Sequence, residues 1–163
     1  MSASTVLSVV RQTRTDLGAV MTYIVSPTRT VLVKDTAKTN PRFKLPGGSI
    51  EPSDAGKVEN DEFGVIAGAI REVKEETGIE LSSTEVKWWY GDSGRGTREY
   101  YLPHFCVAEV SEEKLDTHTK TGDEDGIEIV VKTFDRAEIA ELDEDVVLWK
   151  HLRLIRDAEE KLN

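Results

Sequence analysis

The chain has 163 residues, a formal net charge of −10 and 38% hydrophobic residues, which is typical of one soluble globular domain. The acidic balance argues against a nucleic-acid polymer as partner, because such binding depends on a basic surface. No apolar run approaches the roughly 18 residues of a membrane span, and the N-terminus lacks the basic and apolar regions of a secretion signal.

The single cysteine, Cys106, cannot form an internal disulfide and fits a reducing cytoplasm. Its neighbours Phe105 and Val107 predict a buried and unreactive thiol. We therefore expect a cytoplasmic protein that consists of a single domain over residues 1–163.

Several segments show the period-two hydrophobic pattern of strands or the extended character of a strand bordered by turns. In chain order, these segments are 17–25, 30–33, 43–50, 86–90, 99–110 and 127–134. A turn at 26–28 joins the first two, and a glycine-rich hairpin turn at 91–96 joins the fourth to the fifth. The polar stretch between the last two, over 111–125, is predicted to be a loop.

The segments with helical character are 62–77, 135–142 and 145–162. The first begins near Asp61, a favourable N-cap residue, and ends where Gly78 can form a C-cap. The last places Leu148, Leu152 and Ile155 on one face, which is typical of a helix packed against a sheet. These elements predict an α/β fold, in which helices cover both faces of a mixed sheet.

The first of these helices carries Arg71 and three carboxylates, Glu72, Glu75 and Glu76. At 3.6 residues per turn, the three carboxylates share about a third of the helix circumference. A hard divalent cation such as Mg²⁺ or Mn²⁺ would relieve their repulsion, because such ions prefer oxygen ligands. The alternative is a solvated acidic face without a ligand, and the residues around the helix decide between the two.

The sequence Leu-Pro-Gly-Gly-Ser-Ile-Glu over residues 45–51 precedes the helix, and Gly78 and Ile79 follow it. Together with Arg71 and the three glutamates, these residues resemble the Nudix box, the signature of the Nudix hydrolase superfamily. The family pattern is Gly, five residues, Glu, seven residues, then Arg-Glu-apolar-x-Glu-Glu-x-Gly-apolar. Gly48 matches its first position, and residues 71–79 match its second half throughout.

The spacing between the two halves departs from the family pattern. Counting five residues from Gly48 leads to Asp54 in place of Glu, and sixteen residues instead of seven then separate Asp54 from Arg71. Either Asp54 replaces the glutamate and nine residues are inserted after it, or the insertion comes first and Glu62 takes the role with a misfit of one residue. We place the insertion within 53–60, which is polar and has no apolar period.

The resemblance implies an α/β/α sandwich of the Nudix type, with the box as a loop, helix and loop beside a mixed sheet and with a C-terminal helix. It implies a metal-dependent hydrolase that directs water onto phosphorus in the diphosphate linkage of a nucleoside diphosphate joined to another moiety. Mg²⁺ or Mn²⁺ would be held by Glu72, Glu75, Glu76 and the carbonyl of Gly48, and Arg71 would orient a box carboxylate. A Nudix domain that binds a nucleotide without hydrolysing it, and a pure interaction domain, are the alternatives.

The resemblance leaves the general base open, because it is either a box glutamate or an acidic residue from a later loop. Glu124 is our candidate, and Glu128 is the second. Four basic residues near the Pro-Gly-Gly turn or on the second hairpin are candidates for substrate phosphates. They are Arg42, Lys44, Arg95 and Arg98.

The expected partner is a small nucleotide or nucleotide derivative, with neither a nucleic-acid polymer nor a membrane as partner; a homodimer is compatible with the resemblance. The three histidines, His104, His118 and His151, show no zinc-site spacing and are given no role.

Overall fold

A computed structural model describes residues 18–91 and 103–163. Within them, seven strands form one mixed sheet. The strands are β1 (Ala19–Val25), β2 (Arg29–Lys34), β3 (Gly47–Ser49), β4 (Val86–Tyr90), β5 (His104–Glu109), β6 (Thr121–Glu124) and β7 (Ile127–Asp135). Their order is β4-β5-β1-β2-β7-β6, and β3 pairs with β1 outside this path. The pairing of β1 with β5 is parallel and the other pairings are antiparallel, so the expected mixed sheet is confirmed.

Two longer and two shorter helices accompany the sheet. They are α1 (Val65–Thr77), α2 (Glu112–Leu115), α3 (Arg136–Ile139) and α4 (Trp149–Leu162). Neither long helix begins at its predicted residue, since α4 starts four residues and α1 three residues later than expected. No helix in the described ranges combines the length and apolar character needed to cross a membrane.

Strand β1 separates two apolar clusters because successive side chains of a strand point to opposite faces. Val20 and Ile24 pack in one cluster with Val73 of α1. Tyr23 packs on the other face in a cluster that includes Leu152 of α4. The sheet therefore lies between α1 and α4, which confirms the α/β/α sandwich. Cys106 is buried in the first cluster, and burial raises the pKa of its thiol to about 12.

A buried polar network fixes α4 to the other face of the sheet. The Tyr23 hydroxyl donates to Glu159 Oε1 at 2.6 Å. The guanidinium of Arg136 donates to both oxygens of Glu159, at 2.9 and 3.2 Å, and to the carbonyl of Ser26 at 3.0 Å. Burial and the bond to Glu159 raise the pKa of Tyr23. A single carboxylate thus links the first strand, α3 and the C-terminal helix.

The predicted loop over 111–125 is wrong, because this stretch contains both α2 and β6. Ser111 caps α2 by accepting from the backbone N–H of Lys114. Strand β6 pairs with β7 through a two-residue turn in which Asp125 and Gly126 both have positive φ, at 51° and 84°. An Asp-Gly pair is a strong hairpin signal, but the polar composition of β6 concealed the strand.

Helix α1 starts at Val65, four residues after Asp61, yet Asp61 caps the helix. Its carboxylate accepts from the backbone N–H of Ile66 at 3.0 Å and of Ala67 at 2.8 Å, so it satisfies two of the unpaired amides of the first turn. At the other end Gly78 has a φ of 78° and donates to the carbonyl of Lys74, which confirms the predicted C-cap.

Candidate functional site

The Pro-Gly-Gly turn lies directly against α1. The backbone N–H of Gly47 points at the Glu76 carboxyl group, at 3.4 and 3.2 Å from its two oxygens. A Cβ on Gly48 would lie 2.6 Å from Glu72 Oε1, closer than real Cβ contacts allow. The Glu72 carboxylate therefore lies directly against Gly48. A Cβ on Gly47 would lie 2.1 Å from the carbonyl oxygen of Val20, so the turn requires glycine at position 47.

Glu72 and Glu76 come together beneath this turn. The Glu76 side chain is buried, and only 12% of the Glu72 side chain is exposed. Burial raises the pKa of Glu76 well above its usual range, and a hydrogen bond with Glu72 and the charges of Glu72 and Glu124 raise it further, against the opposing charge of Lys44. Glu76 therefore keeps a proton at neutral pH in the metal-free protein.

Glu75 has a different environment from the other two box glutamates. Half of its side chain is exposed, and its Oε2 lies 3.6 Å from Arg71 Nη1. Within residues 18–91 and 103–163, no three His, Cys, Asp or Glu side chains converge closely enough to hold a metal ion together. The structure thus joins two of the three predicted carboxylates and leaves Glu75 at the solvent side.

Arg71 connects the loop to the helix. Its Nε and Nη2 donate to the two oxygens of Asp54 at 3.1 and 2.9 Å, and Nη1 donates to Glu72 Oε1 at 2.9 Å. A further bond runs from Nη2 to the carbonyl of Ser49 at 2.9 Å. Of the two candidates for the missing box glutamate, Asp54 is buried and holds Arg71, whereas Glu62 is exposed. Arg71 in turn orients Glu72.

Asp54 has a shorter side chain than the glutamate of the family pattern, and two glycines allow it to reach Arg71. A Cβ on Gly64 would lie 2.7 Å from the backbone nitrogen of Ala55, and a Cβ on Gly68 would lie 3.3 Å from Asp54 Oδ2. Gly64 also has a φ of 76°, a conformation that glycine adopts easily. The 3-10 turn Pro52–Asp54 can therefore lie close to α1.

Glu124 and Lys44 form an ion pair beside Glu76. Lys44 Nζ lies 2.6 Å from Glu124 Oε1, with 15% of the lysine and 22% of the glutamate side chain exposed. Strand β6 brings Glu124 there, since Gly122 lies against the backbone of Glu76 so closely that a Cβ would overlap the Glu76 carbonyl. Glu124 therefore lies on a strand at the site, whereas Glu128, the second candidate base, is exposed.

The remaining predicted substrate residues are Arg42, Arg95 and Arg98. Arg42 is half-buried and makes no ion pair within the described part of the chain. Arg95 and Arg98, together with the predicted hairpin turn, lie outside the described residues.

The sequence analysis missed a role for His151. Its Nδ1 accepts from the backbone N–H of Leu45 at 2.9 Å, so α4 fixes the residue that begins the Pro-Gly-Gly turn. Burial, assisted by the charges of Lys44 and Lys150, lowers the pKa of His151 to about 4 and keeps the imidazole neutral. The contact spans 106 positions of sequence, and no local pattern could have revealed it.

The raised pKa of Glu76 predicts a pH dependence of stability in the absence of metal. The folded state binds a proton that the unfolded chain releases, so the stabilisation is complete below the ordinary glutamate pKa and is lost as the pH rises toward the folded-state pKa. We expect the free energy of unfolding in EDTA to fall between about pH 6 and about pH 8 by more in the natural protein than in Glu76→Gln. Urea denaturation measures the free energy of unfolding. The lowered pKa of His151 makes stability rise with pH in both proteins, so the comparison with the variant cancels that contribution. Equal changes in both proteins would contradict the assignment.

The comparisons with known proteins agree with this geometry. The family model described as the NUDIX domain matches residues 16–155. The structure superimposes on the NUDIX domain of Shewanella oneidensis NrtR complexed with ADP ribose, with a TM-score of 0.61, 17% identity and full coverage of both chains. A NUDIX hydrolase from Nitrosomonas europaea gives a TM-score of 0.56 with 21% identity and 88% coverage of each chain.

A MutT/nudix family protein from Enterococcus faecalis also gives a TM-score of 0.56, with 18% identity over 99% of this chain and 70% of that one. The comparison with curated proteins found no match. At these identities the structures show a common fold, while the family model covers most of the chain and includes the whole site. This protein is therefore a member of the Nudix family.

Proposed function

We propose that this protein is a metal-dependent hydrolase that cleaves the diphosphate linkage of a nucleoside diphosphate joined to another moiety. The observation that carries the proposal is that Glu72 and Glu76 meet beneath the Gly47-Gly48 turn. Glu76 retains a proton there in the metal-free protein, and a bound cation would take the place of that proton. The two side chains lie in a largely buried space, where a cation would neutralise both carboxylates once Glu76 releases its proton.

The residues of the site fit a hard divalent cation. All the donors are oxygens, which suits Mg²⁺ or Mn²⁺ better than softer metals. Glu72, Glu76 and the carbonyl of Gly48 would hold the ion, because the Pro-Gly-Gly turn lies against both carboxyl groups. Glu75 would contribute from the solvent side. A bound Mg²⁺ or Mn²⁺ supplies charge stabilisation to the phosphates and increases the acidity of a coordinated water.

The remaining side chains have separate tasks in this proposal. Arg71 holds Glu72 in one orientation through its two bonds to Asp54. Glu124 accepts the proton of the attacking water, because its Oε2 is buried and has no hydrogen-bond partner among the described residues. Arg42 supplies positive charge for the substrate phosphates, and Arg95 and Arg98 remain proposed for the same purpose.

A domain that binds a nucleotide without hydrolysing it is the second candidate. The observation in its favour is that the NUDIX domain of NrtR, which has the same fold, forms a complex with ADP ribose. ADP ribose is also a nucleoside diphosphate joined to another moiety, so it is the first compound to test for both functions. The pairing of Glu72 with Glu76 favours hydrolysis, since binding a nucleotide alone does not need two acidic side chains held together at the site.

The test combines turnover with binding. The protein is incubated with ADP ribose, nucleotide sugars, nucleoside triphosphates and dinucleoside polyphosphates in Mg²⁺ or Mn²⁺, and phosphate is detected after a coupled phosphatase. We expect metal-dependent turnover of at least one compound, which EDTA abolishes, and a rise in melting temperature with Mn²⁺. Binding without turnover would support the second candidate. No turnover, no nucleotide binding and no effect of Mn²⁺ would contradict both.

A further inference from the structure

We infer that Lys44 withholds Glu124 from the divalent cation, so that one carboxylate oxygen of Glu124 stays free to accept a proton. The inference rests on the proposed function and concerns how this chain divides its carboxylates between metal and water. Lys44 is then a positioning residue that acts through Glu124, in addition to any contact with substrate.

The backbone of Lys44 is fixed at both of its hydrogen-bonding groups. Its N–H donates to the carbonyl of Val33 at 2.8 Å, and its carbonyl accepts from the N–H of Val33 at 3.0 Å. The next residue, Leu45, donates to His151 on α4. The Lys44 side chain therefore starts from a fixed point, and it extends to Glu124 although the two residues are 80 positions apart in the sequence.

The two oxygens of the Glu124 carboxylate lie in different environments. Oε1 accepts from Lys44 Nζ at 2.6 Å in a largely buried, charge-assisted hydrogen bond, whereas Oε2 is buried without a partner in the described ranges. Buried carboxylate oxygens nearly always have a partner, so Oε2 is available to accept one more hydrogen bond. A water molecule to be deprotonated fits that position.

Without Lys44, Glu124 would be available as a metal ligand. Strand β6 carries Glu124 beside α1, because Gly122 lies so close to Glu76 that a Cβ on Gly122 would overlap the Glu76 carbonyl. A divalent cation bound by Glu72 and Glu76 would attract a nearby unpaired carboxylate. The ammonium of Lys44 is a competing cation that is covalently attached to the chain, and it engages Glu124 before any metal binds.

The test is a double-mutant cycle on Mn²⁺ affinity with Lys44→Gln, Glu124→Gln and the double variant, measured by calorimetric titration. Glutamine keeps a hydrogen-bonding group at each substituted position, so the variants lose charge without losing the ability to form a hydrogen bond. We expect Glu124→Gln to weaken Mn²⁺ binding about ten-fold more in the Lys44→Gln background than in the natural protein, because only there is Glu124 a ligand. An equal effect of Glu124→Gln in both backgrounds would overturn the inference.

Two controls separate this inference from simpler effects. Lys34→Gln removes the same charge from β2, but Lys34 Nζ lies 4.4 Å above the Phe43 ring instead of against a carboxylate, so its cycle with Glu124→Gln should be additive. Lys44→Gln should bind Mn²⁺ more tightly than the natural protein, because Glu124 becomes a ligand, whereas Lys44→Arg keeps the charge and should bind Mn²⁺ like the natural protein. Equal tightening in the two variants would overturn the inference.

The outcomes also distinguish the two proposals. If the natural protein binds no Mn²⁺, the proposed function fails. If Glu72→Gln abolishes Mn²⁺ binding but the Lys44 and Glu124 cycle is additive, only the present inference fails. Coupling in the free energy of unfolding without coupling in Mn²⁺ affinity would show that the ion pair is structural, and would likewise overturn it.

Discussion

Replacing Glu72 by glutamine is expected to lower kcat/KM for the metal-dependent reaction by about a thousand-fold or more, because an oxygen ligand that stabilises charge in the transition state is lost. Glu72 is the carboxylate that lies against Gly48 and that accepts from Arg71 Nη1 at 2.9 Å. The isosteric amide keeps the shape of the side chain, so the fold should be retained. The coupled phosphatase assay measures the loss.

Glu80→Gln is a suitable control for this variant. Glu80 follows the same helix, is exposed and pairs only with Lys74 at 3.0 Å among the described residues. Its replacement changes the net charge equally and should leave kcat/KM within about two-fold, since surface ion pairs contribute little. Turnover by Glu72→Gln at the rate of the control would remove the basis of the assigned role.

Replacing Glu159 by alanine is expected to lower the free energy of unfolding by about 3–5 kcal/mol, because it leaves the guanidinium of Arg136 buried without its carboxylate. Only 16% of the Arg136 side chain is exposed, and the Tyr23 hydroxyl loses its acceptor in the same substitution. Urea denaturation at neutral pH, with far-ultraviolet circular dichroism as the signal, measures the change.

The neighbouring residue provides the matched control for this stability prediction. Glu160 is exposed on α4, and Glu160→Ala removes the same side chain from the adjacent position. We expect it to change the free energy of unfolding by no more than about 0.5 kcal/mol, as is usual for surface sites. Similar losses in the two variants would show that the Tyr23, Arg136 and Glu159 network does not stabilise the fold.

Much of the fold follows from hydrophobic periodicity in the sequence. Strands β1, β2 and β7 are predicted within a few residues because one or both of their faces are apolar and buried. Strand β4 is predicted equally well from its Val, Trp and Tyr residues, although only Val86 is buried. Strand β6 is missed because its sequence, Thr-Gly-Asp-Glu, has no apolar side chain to alternate. It forms because β7 offers a partner and α1 lies beside it, which are tertiary causes that periodicity does not record.

The site is only partly encoded in local sequence. The spacing along α1 places three glutamates within one third of the helix, but it does not decide which of them turn toward the Pro-Gly-Gly turn. The structure buries Glu76 and exposes half of Glu75, because β6 covers the Glu76 side of the helix. Likewise, the ion pair of Lys44 with Glu124 and the bond from Leu45 to His151 join distant segments.

The nine extra residues between Asp54 and Arg71 are anchored at both ends by different partners. Asp54 is held by the guanidinium of Arg71, while Asp61 is held by amides of the first helical turn. Between them Gly56 faces open space. The length of this connection is therefore independent of the contacts that Glu72 and Glu76 make. We expect a reporter peptide grafted at Gly56 to leave the proposed metal site in place.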